Sequence, residues 1–454
     1  MSDDITPPKP SARKERVSVF THIRLFRQDI FASQPAKLYR AWMAELRMLL
    51  FKSYFINDPK LVETVLKKRP DDFPKSEIVT AGLFSLLGKS VFVTNGDLWK
   101  KQRRIIDPAF EGGRLRDVFP SMLAAADESV KRLRPFADGT PVEMEEQTSQ
   151  LAADVIFRTL FSIPISDEIA SETFEKFRAY QRTQPLLNIA AFLKRPSWVP
   201  KMQRRATKRA AHDVRRLLTR LTMDRAAMIA NGTAPDDLAT KIMTTRDPET
   251  GDLFTSDEMV DQVAIFFLAG HETSASALAW ALYLLALDQD TQARVFAETS
   301  TLDDFTFANL SKLPFTRDVF RETLRLYPPV PMMVRETTQP ELFRERKIKV
   351  GSQIILSPWH IQRHERLWDR PDVFDPDRWQ TDETRKCARD AYMPFSAGAR
   401  VCTGAGFAMV EGVVLLATLI RAFKFDVVDG HEPTPVAHLT VRAKDGIYLR
   451  LTKR

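Results

Sequence analysis

Cysteine is nearly absent. The 454-residue chain has two, Cys387 and Cys402, which excludes a disulfide framework, a four-cysteine metal cluster and a Cys-x-x-Cys-His attachment site. Unpaired thiols suit a reducing cytoplasm. Glycine is scarce too, at 16 residues, and no Gly/Ser linker, internal repeat or low-complexity block divides the chain. Long apolar runs are missing. The longest uncharged segment, Thr273 to Leu287, falls short of the roughly 20 residues a membrane helix needs and reads as a buried core helix. The N-terminus has no signal with an apolar centre, so no membrane span is expected. Neither charge sign dominates: 67 Lys and Arg against 59 Asp and Glu leave +8, spread along the chain. That is an ordinary solvated surface, and it argues against a nucleic-acid partner.

What the chain does have is phenylalanine, 30 residues against 7 Tyr and 7 Trp, within a 44% hydrophobic composition that can bury a large core. Residues 1–18 combine Asp, Pro, Lys and Arg and read as a mobile tail, leaving 19–454 as a single domain. Leu38, Trp42, Leu46 and Leu49, three or four apart, predict a helix over 35–50. A short strand is expected near 48–56, then a helix over 60–68 capped by Asn57-Asp58-Pro59. Residues 113–231 read as mostly long helices, broken near Pro185 and 196–200. A long helix is predicted over 256–288 and another over 316–327, ended by Pro328-Pro329. Strand signals appear at 347–356 and 439–451. The fold class is therefore mainly α with a small β region. The densest basic stretch, Lys201 to Arg220, alternates with Ala, Val and Leu at helical spacing and reads as a solvated helix face.

One of the two thiols stands in a loop built to present it. Phe395-Ser396-Ala397-Gly398-Ala399-Arg400-Val401-Cys402-Thr403-Gly404 feeds Cys402 into the start of a strongly apolar helix. Gly398 and Gly404 permit turns or close approaches, so the chain can curl around the sulfur and aim amide N–H groups at it. The positive end of the following helix favours the same thiolate. Phe395 can cover the loop, and Arg400 offers a forked cation to an anionic group. The order resembles the haem-ligand loop of the cytochrome P450 monooxygenases, Phe-x-x-Gly-x-Arg-x-Cys-x-Gly, at every fixed position.

Further motifs follow the same resemblance. In the long helix, Gly270-His271-Glu272-Thr273 puts a carboxylate beside a hydroxyl, two groups able to relay protons into an apolar cavity. This pair resembles the acid and alcohol of the family's oxygen-activating helix. Gly270 weakens the helix, and the Thr273 and Ser274 hydroxyls can bond back to carbonyls a turn earlier, so a kink with room for oxygen is expected. His271 reads as a packed residue, since Cys402 supplies the ligand. Glu322 and Arg325 lie three apart on one helical face, with Leu324 and Leu326 suggesting burial, and Arg378 in Phe374-Asp375-Pro376-Asp377-Arg378-Trp379 offers a third member. The resemblance gives these three a structural role behind the haem. Trp99 and Arg103 share a helical face, and both can donate to a carboxylate. By resemblance they, with Arg335 and Arg400, hold the haem propionates. Lys100, Lys101 and Arg104 point elsewhere and are expected to form a cationic patch for an acidic electron donor.

The resemblance implies the mainly α cytochrome P450 fold around non-covalent haem b. It also implies reductive activation of dioxygen and insertion of one oxygen atom into a hydrophobic small molecule. Electrons would come from a ferredoxin or flavodoxin-type donor with its NAD(P)H-dependent reductase. A soluble bacterial type is expected, because eukaryotic members usually carry a membrane anchor. Leu268, Ala269, Val330, Met332, Met333 and Leu439 are the expected pocket lining. Residues 180–201 are an expected lid, adding Leu186, Leu187, Ile189, Phe192 and Trp198. Two other readings stay open: a peroxide-driven peroxygenase, against which Glu272-Thr273 argues, and a haem carrier or gas sensor, in which a proton relay has no purpose.

Overall fold

The computed structural model describes residues 4–13, 17–47, 52–183 and 205–454. Its axis is the helix Ser256–Leu287, whose first turn is fixed by reciprocal capping between Thr255 and Glu258. This central helix is buried on almost every side from Met259 to Ala286, as expected of a helix apolar all round. Helices Gly112–Leu133, Met144–Phe161, Arg205–Ala230, Pro314–Leu326 and Ala405–Ala422 form the rest of the helical body. Ala405–Ala422 is the one helix among the described residues long and apolar enough to cross a membrane. It lies in the core instead, packed against the central helix and Gly112–Leu133.

Four small β units among the described residues trim the helical body, one of them the hairpin Glu341–Phe343 with Arg346–Ile348. A four-stranded sheet runs in the order Met43–Arg47, Lys52–Ile56, Gln353–Leu356, Met333–Glu336, and its last register, Arg335 opposite Ile354, carries Arg335 inward. A second sheet joins Asp138–Glu143, Tyr448–Lys453 and Phe423–Val427. A hairpin pairs Pro435–Ala437 with Val441–Ala443 and holds Leu439 and Thr440 in its turn.

Several expectations need correction. The predicted helix over 35–50 is a short turn, Ala36–Tyr39, followed by the strand Met43–Arg47. Pairing with Lys52–Ile56, itself parallel to Gln353–Leu356, overrides the local spacing. Residues 48–51 lie outside the described set. The helical run over 113–231 is interrupted by strand Asp138–Glu143, which pairs with Tyr448–Lys453. The predicted tail is not free over its described part. Ile5 O accepts from Phe374 N–H, Tyr327 Oη donates to Pro8 O at 2.7 Å, and Asp4 pairs with Arg370 at 2.7 Å. Pro7 and Pro10 are buried, so docking recovers apolar contact that composition alone does not reveal. The other helices stand where periodicity puts them: Pro59–Glu63 continues as a π-helical turn to Lys68, with Asp58 accepting from Lys60 N–H.

Candidate functional site

The cysteine loop is held by its own backbone. Cys402 N–H donates to the Phe395 carbonyl at 2.9 Å and Val401 N–H to Gly398 O at 3.0 Å, a tight curl just ahead of helix Ala405–Ala422. Gly398 is required twice over: its φ is +67°, and a Cβ there would lie 2.0 Å from the Leu66 carbonyl oxygen. Gly404 is not, with φ −86° and open space around it, but its amide N–H points at the sulfur. Cys402 opens onto an interior cavity, so its surface is accessible there although protein encloses it. Burial pushes its thiol pKa up, opposed by the Gly404 N–H and the Arg103 guanidinium. The other cysteine is inert by comparison. Cys387 donates to Leu367 O at 3.0 Å, and burial pushes its pKa up to about 11.

A cavity of about 1440 Å³ separates the cysteine loop from the central helix. Leu268, Ala269, Val330, Met332, Met333 and Leu439 all line it. So do Trp99, Arg103, Arg335, Phe395 and Arg400. Of the expected lid, Leu186, Leu187, Ile189, Phe192 and Trp198 lie outside the described residues; Tyr180 and Gln181 just before them also line the cavity.

One side of the cavity gathers cations. Arg400 lies over the Trp99 ring, 4.2 Å from its centroid, and its buried Nε and Nη1 have no hydrogen-bond partner. Arg335 is buried with one bond, Nη1 to the Val334 carbonyl at 3.2 Å; burial, then Arg400, lowers its pKa to about 10. Lys75 was not anticipated. Its backbone bridges Arg335, its Nζ donates to Val91 O at 2.7 Å, and burial followed by Arg400, Arg335 and Arg103 pulls its pKa well below the usual lysine range. No local signal marks Lys75, because only the contact with Met333–Glu336 brings it here. Buried donors left unpartnered beside like charges fit an anionic ligand carrying more than one carboxylate. Arg103 also gives Nε to Asp107 at 2.9 Å and Nη1 to Val401 O at 2.7 Å, clamping the cysteine loop.

Across the cavity, the central helix continues through Gly270-His271-Glu272-Thr273. Thr273 Oγ1 bonds back to Ala269 O at 2.6 Å, as expected, but Ser274 instead donates to Glu411 Oε2 at 2.5 Å. Glu411, on Ala405–Ala422, is fully buried, and burial raises its pKa to about 8 against the Ser274 hydrogen bond. Glu272 is buried and receives Thr440 Oγ1 at 2.7 Å and Arg442 Nη2 at 3.0 Å, both on Oε1. His271 packs among Phe174, Phe177 and Phe267 with Nε2 2.7 Å from Ser149 Oγ; burial, then Arg442 and Arg178, lowers its pKa to about 3.

Glu322, Arg325 and Arg378 meet outside the cavity as a buried cluster. Glu322 Oε1 receives Arg325 Nη2 at 2.8 Å, Arg378 Nε at 2.9 Å and Asp375 N–H at 3.1 Å, and Oε2 receives Arg325 Nε at 2.9 Å and Trp379 Nε1 at 3.1 Å. Burial alone would raise its pKa; the two arginines and the Asp375 N–H bring it below the ordinary value. The expected cationic patch carries its own carboxylates. Lys100 stands 3.6 Å from Asp71, Lys101 2.8 Å from Asp252, and Arg104 2.6 Å from Asp247 and 3.0 Å from Glu249.

Comparison with known proteins agrees with this geometry. The family model described as Cytochrome P450 matches residues 12–450. Cyclooctat-9-en-7-ol 5-monooxygenase of Streptomyces melanosporofaciens is 30% identical, over 94% of this chain and 94% of that protein. Pentalenene oxygenase of Streptomyces avermitilis is 31% identical over 78% of each. Among solved structures, a cytochrome P450 named CYP102L1 superposes with a TM-score of 0.80 at 25% identity, covering 99% of this chain and 100% of that one.

Proposed function

The chain belongs to the cytochrome P450 family of monooxygenases, and from that premise we propose that it inserts one oxygen atom of O2 into a hydrophobic organic molecule. The cofactor is haem b. The residues present fit it: Cys402 faces one side of the cavity, and Arg335, Arg400 and Lys75 would hold the propionates. Bound there, haem with a thiolate ligand supplies the oxygen-activating chemistry. The observation that carries the proposal is the cavity itself, which brings together the one loop-presented thiol, the cations Arg335, Arg400 and Lys75, and Glu272-Thr273.

The chain's own residues divide the remaining work. Thr273 Oγ1 donates a hydrogen bond to Ala269 O, which leaves its lone pairs free to accept one from the cavity; the hydroxyl would pass a proton on by swinging off Ala269. Glu272 is the adjacent carboxylate through which protons would reach it. Leu268, Ala269, Val330, Met332 and Met333 exclude water and favour an apolar substrate. The relatives named for pentalenene and cyclooctat-9-en-7-ol support an alkene-bearing, largely apolar molecule. Electrons would come from a separate ferredoxin or flavodoxin-type protein and its NAD(P)H-dependent reductase.

A panel of terpenes, steroids, fatty acids and alkyl-aromatics that shifts the haem spectrum identifies the substrate class. With the best of these, Thr273→Ala should leave binding nearly unchanged while product per NADPH falls and peroxide appears. Unchanged coupling in that variant would remove Thr273 from the relay.

A further inference from the structure

Glu272 and Thr273 are neighbours in sequence but are not bonded to one another. Thr273 gives its hydrogen bond to Ala269, while Glu272 takes both of its bonds from the C-terminal hairpin, Thr440 at 2.7 Å and Arg442 at 3.0 Å. The acid is turned toward the hairpin. Glu145, Ser149, His271, Thr440 and Arg442 line the same cavity as Glu272 and Thr273. Arg442 links the two carboxyls of this set. Its guanidinium meets Glu272 inside while its side chain remains 41% exposed, and it acts electrostatically on Glu145. The next residue, Ala443, donates its N–H to Glu145 Oε1 at 2.9 Å. Strand Val441–Ala443 therefore holds two carboxyls, the half-buried Glu145 and the buried Glu272 beside Thr273.

We propose that Arg442 is a positioning residue that holds Glu272 at the inner end of a proton inlet whose outer group is Glu145. Protons then reach Thr273 from the hairpin side and not through the apolar substrate pocket. The inference rests on the relay reading of Glu272 and Thr273. The other charged and titratable cavity-lining groups around these residues are Glu143, Glu146 with its partner Arg178, His271 and His438. Burial raises the Glu145 pKa to about 7, partly offset by the Ala443 N–H and Arg442, and neighbouring Glu143 raises it further. A carboxyl in that range can take a proton from neutral solvent and hand it on.

The test uses the haem-loaded enzyme, a reconstituted donor chain and the compound giving the largest spectral shift in the panel. Arg442→Met should bind that compound with unchanged affinity, lower product per NADPH about tenfold, and raise the solvent isotope effect on turnover; a positioned proton group is worth about a hundredfold or more. Arg442→Lys should restore most of the coupling. Glu145→Gln should lower product formation and remove the pH dependence near 7. In a Glu272→Gln background, Arg442→Met should have no further effect on coupling. An unfolding double-mutant cycle on the same four proteins should show Arg442 and Glu272 to be energetically coupled. Wild-type coupling in Arg442→Met, or a loss as large in the Glu272→Gln background as in the wild type, overturns the inlet. Wild-type coupling in Glu272→Gln alone overturns the relay beneath it.

Discussion

Replacing Glu322 with Gln keeps the volume of the side chain and removes one charge. Five donors from Arg325, Arg378, Asp375 and Trp379 converge on that carboxylate. The amide oxygen can accept some of them, but its NH2 group then faces the donors of the other side, Arg325 Nε and Trp379 Nε1 or their counterparts on Oε1. Arg325 keeps the carbonyls of Gln362, Pro371 and Val373, and Arg378 those of Asp369, Arg370 and Val373. Those bonds satisfy geometry without neutralising charge. Two buried guanidiniums without a counter-ion should cost about 3–5 kcal/mol. The internal control is one residue from Arg378: Asp377 forms a two-pronged pair with Arg294 at 2.7 and 2.8 Å, but both are half-exposed. Asp377→Asn should cost less than about 1 kcal/mol. Urea unfolding midpoints, together with the fraction of protein retaining haem, measure both. If Glu322→Gln and Asp377→Asn prove equally mild, the buried cluster does not hold the loop behind the haem. The pH sign is fixed by the lowered Glu322 pKa: its contribution is present above the ordinary carboxyl pKa and is lost as pH falls through the folded value.

Two other outcomes follow from the site. Cys402→Ser should abolish the red-shifted absorption of the reduced carbon-monoxide complex, and Cys387→Ser should preserve it; a surviving band in Cys402→Ser would assign the ligand elsewhere. Glu411 has the opposite linkage from Glu322. Its pKa rises to about 8 in the fold, so the native state holds a proton the unfolded chain releases, and stability falls as pH climbs from the ordinary carboxyl range toward 8. The slope approaches about 1.4 kcal/mol per pH unit, and Glu411→Gln should flatten the unfolding midpoint between pH 5 and 8 relative to wild type. Parallel pH curves for the two proteins would show that Glu411 does not titrate.

Local periodicity made Ser256–Leu287 and Pro314–Leu326 legible, because each helix buries faces set by its own spacing. The cysteine loop was legible because its ligand, glycine and arginine are contiguous. Met43–Arg47 was not. Its apolar spacing satisfies a helix equally well, and what decides for a strand is pairing with Lys52–Ile56, itself held by Gln353–Leu356 some three hundred residues away. Lys75, Thr440 and Arg442 were missed for the same reason: a lysine after a proline and an arginine in a short strand carry no local mark of the cavity they face. Conversely, Lys100, Lys101 and Arg104 looked free in sequence because their carboxylates come from Asp71, Asp252 and Asp247.

The strand Asp138–Glu143 has a consequence for the order in which the molecule assembles. Its partner, Tyr448–Lys453, is synthesised about three hundred residues later, and Met144 N–H donates to Ile447 O at 2.7 Å. The start of helix Met144–Phe161, which carries Glu145 and Ser149, therefore cannot be completed on a growing chain until the segment around Ile447 has left the ribosome. The cysteine loop emerges earlier. A nascent chain can form that loop while Thr440 and Arg442 are still absent, so the arrival of the Pro435–Ala443 hairpin is the event that turns Glu272 toward it.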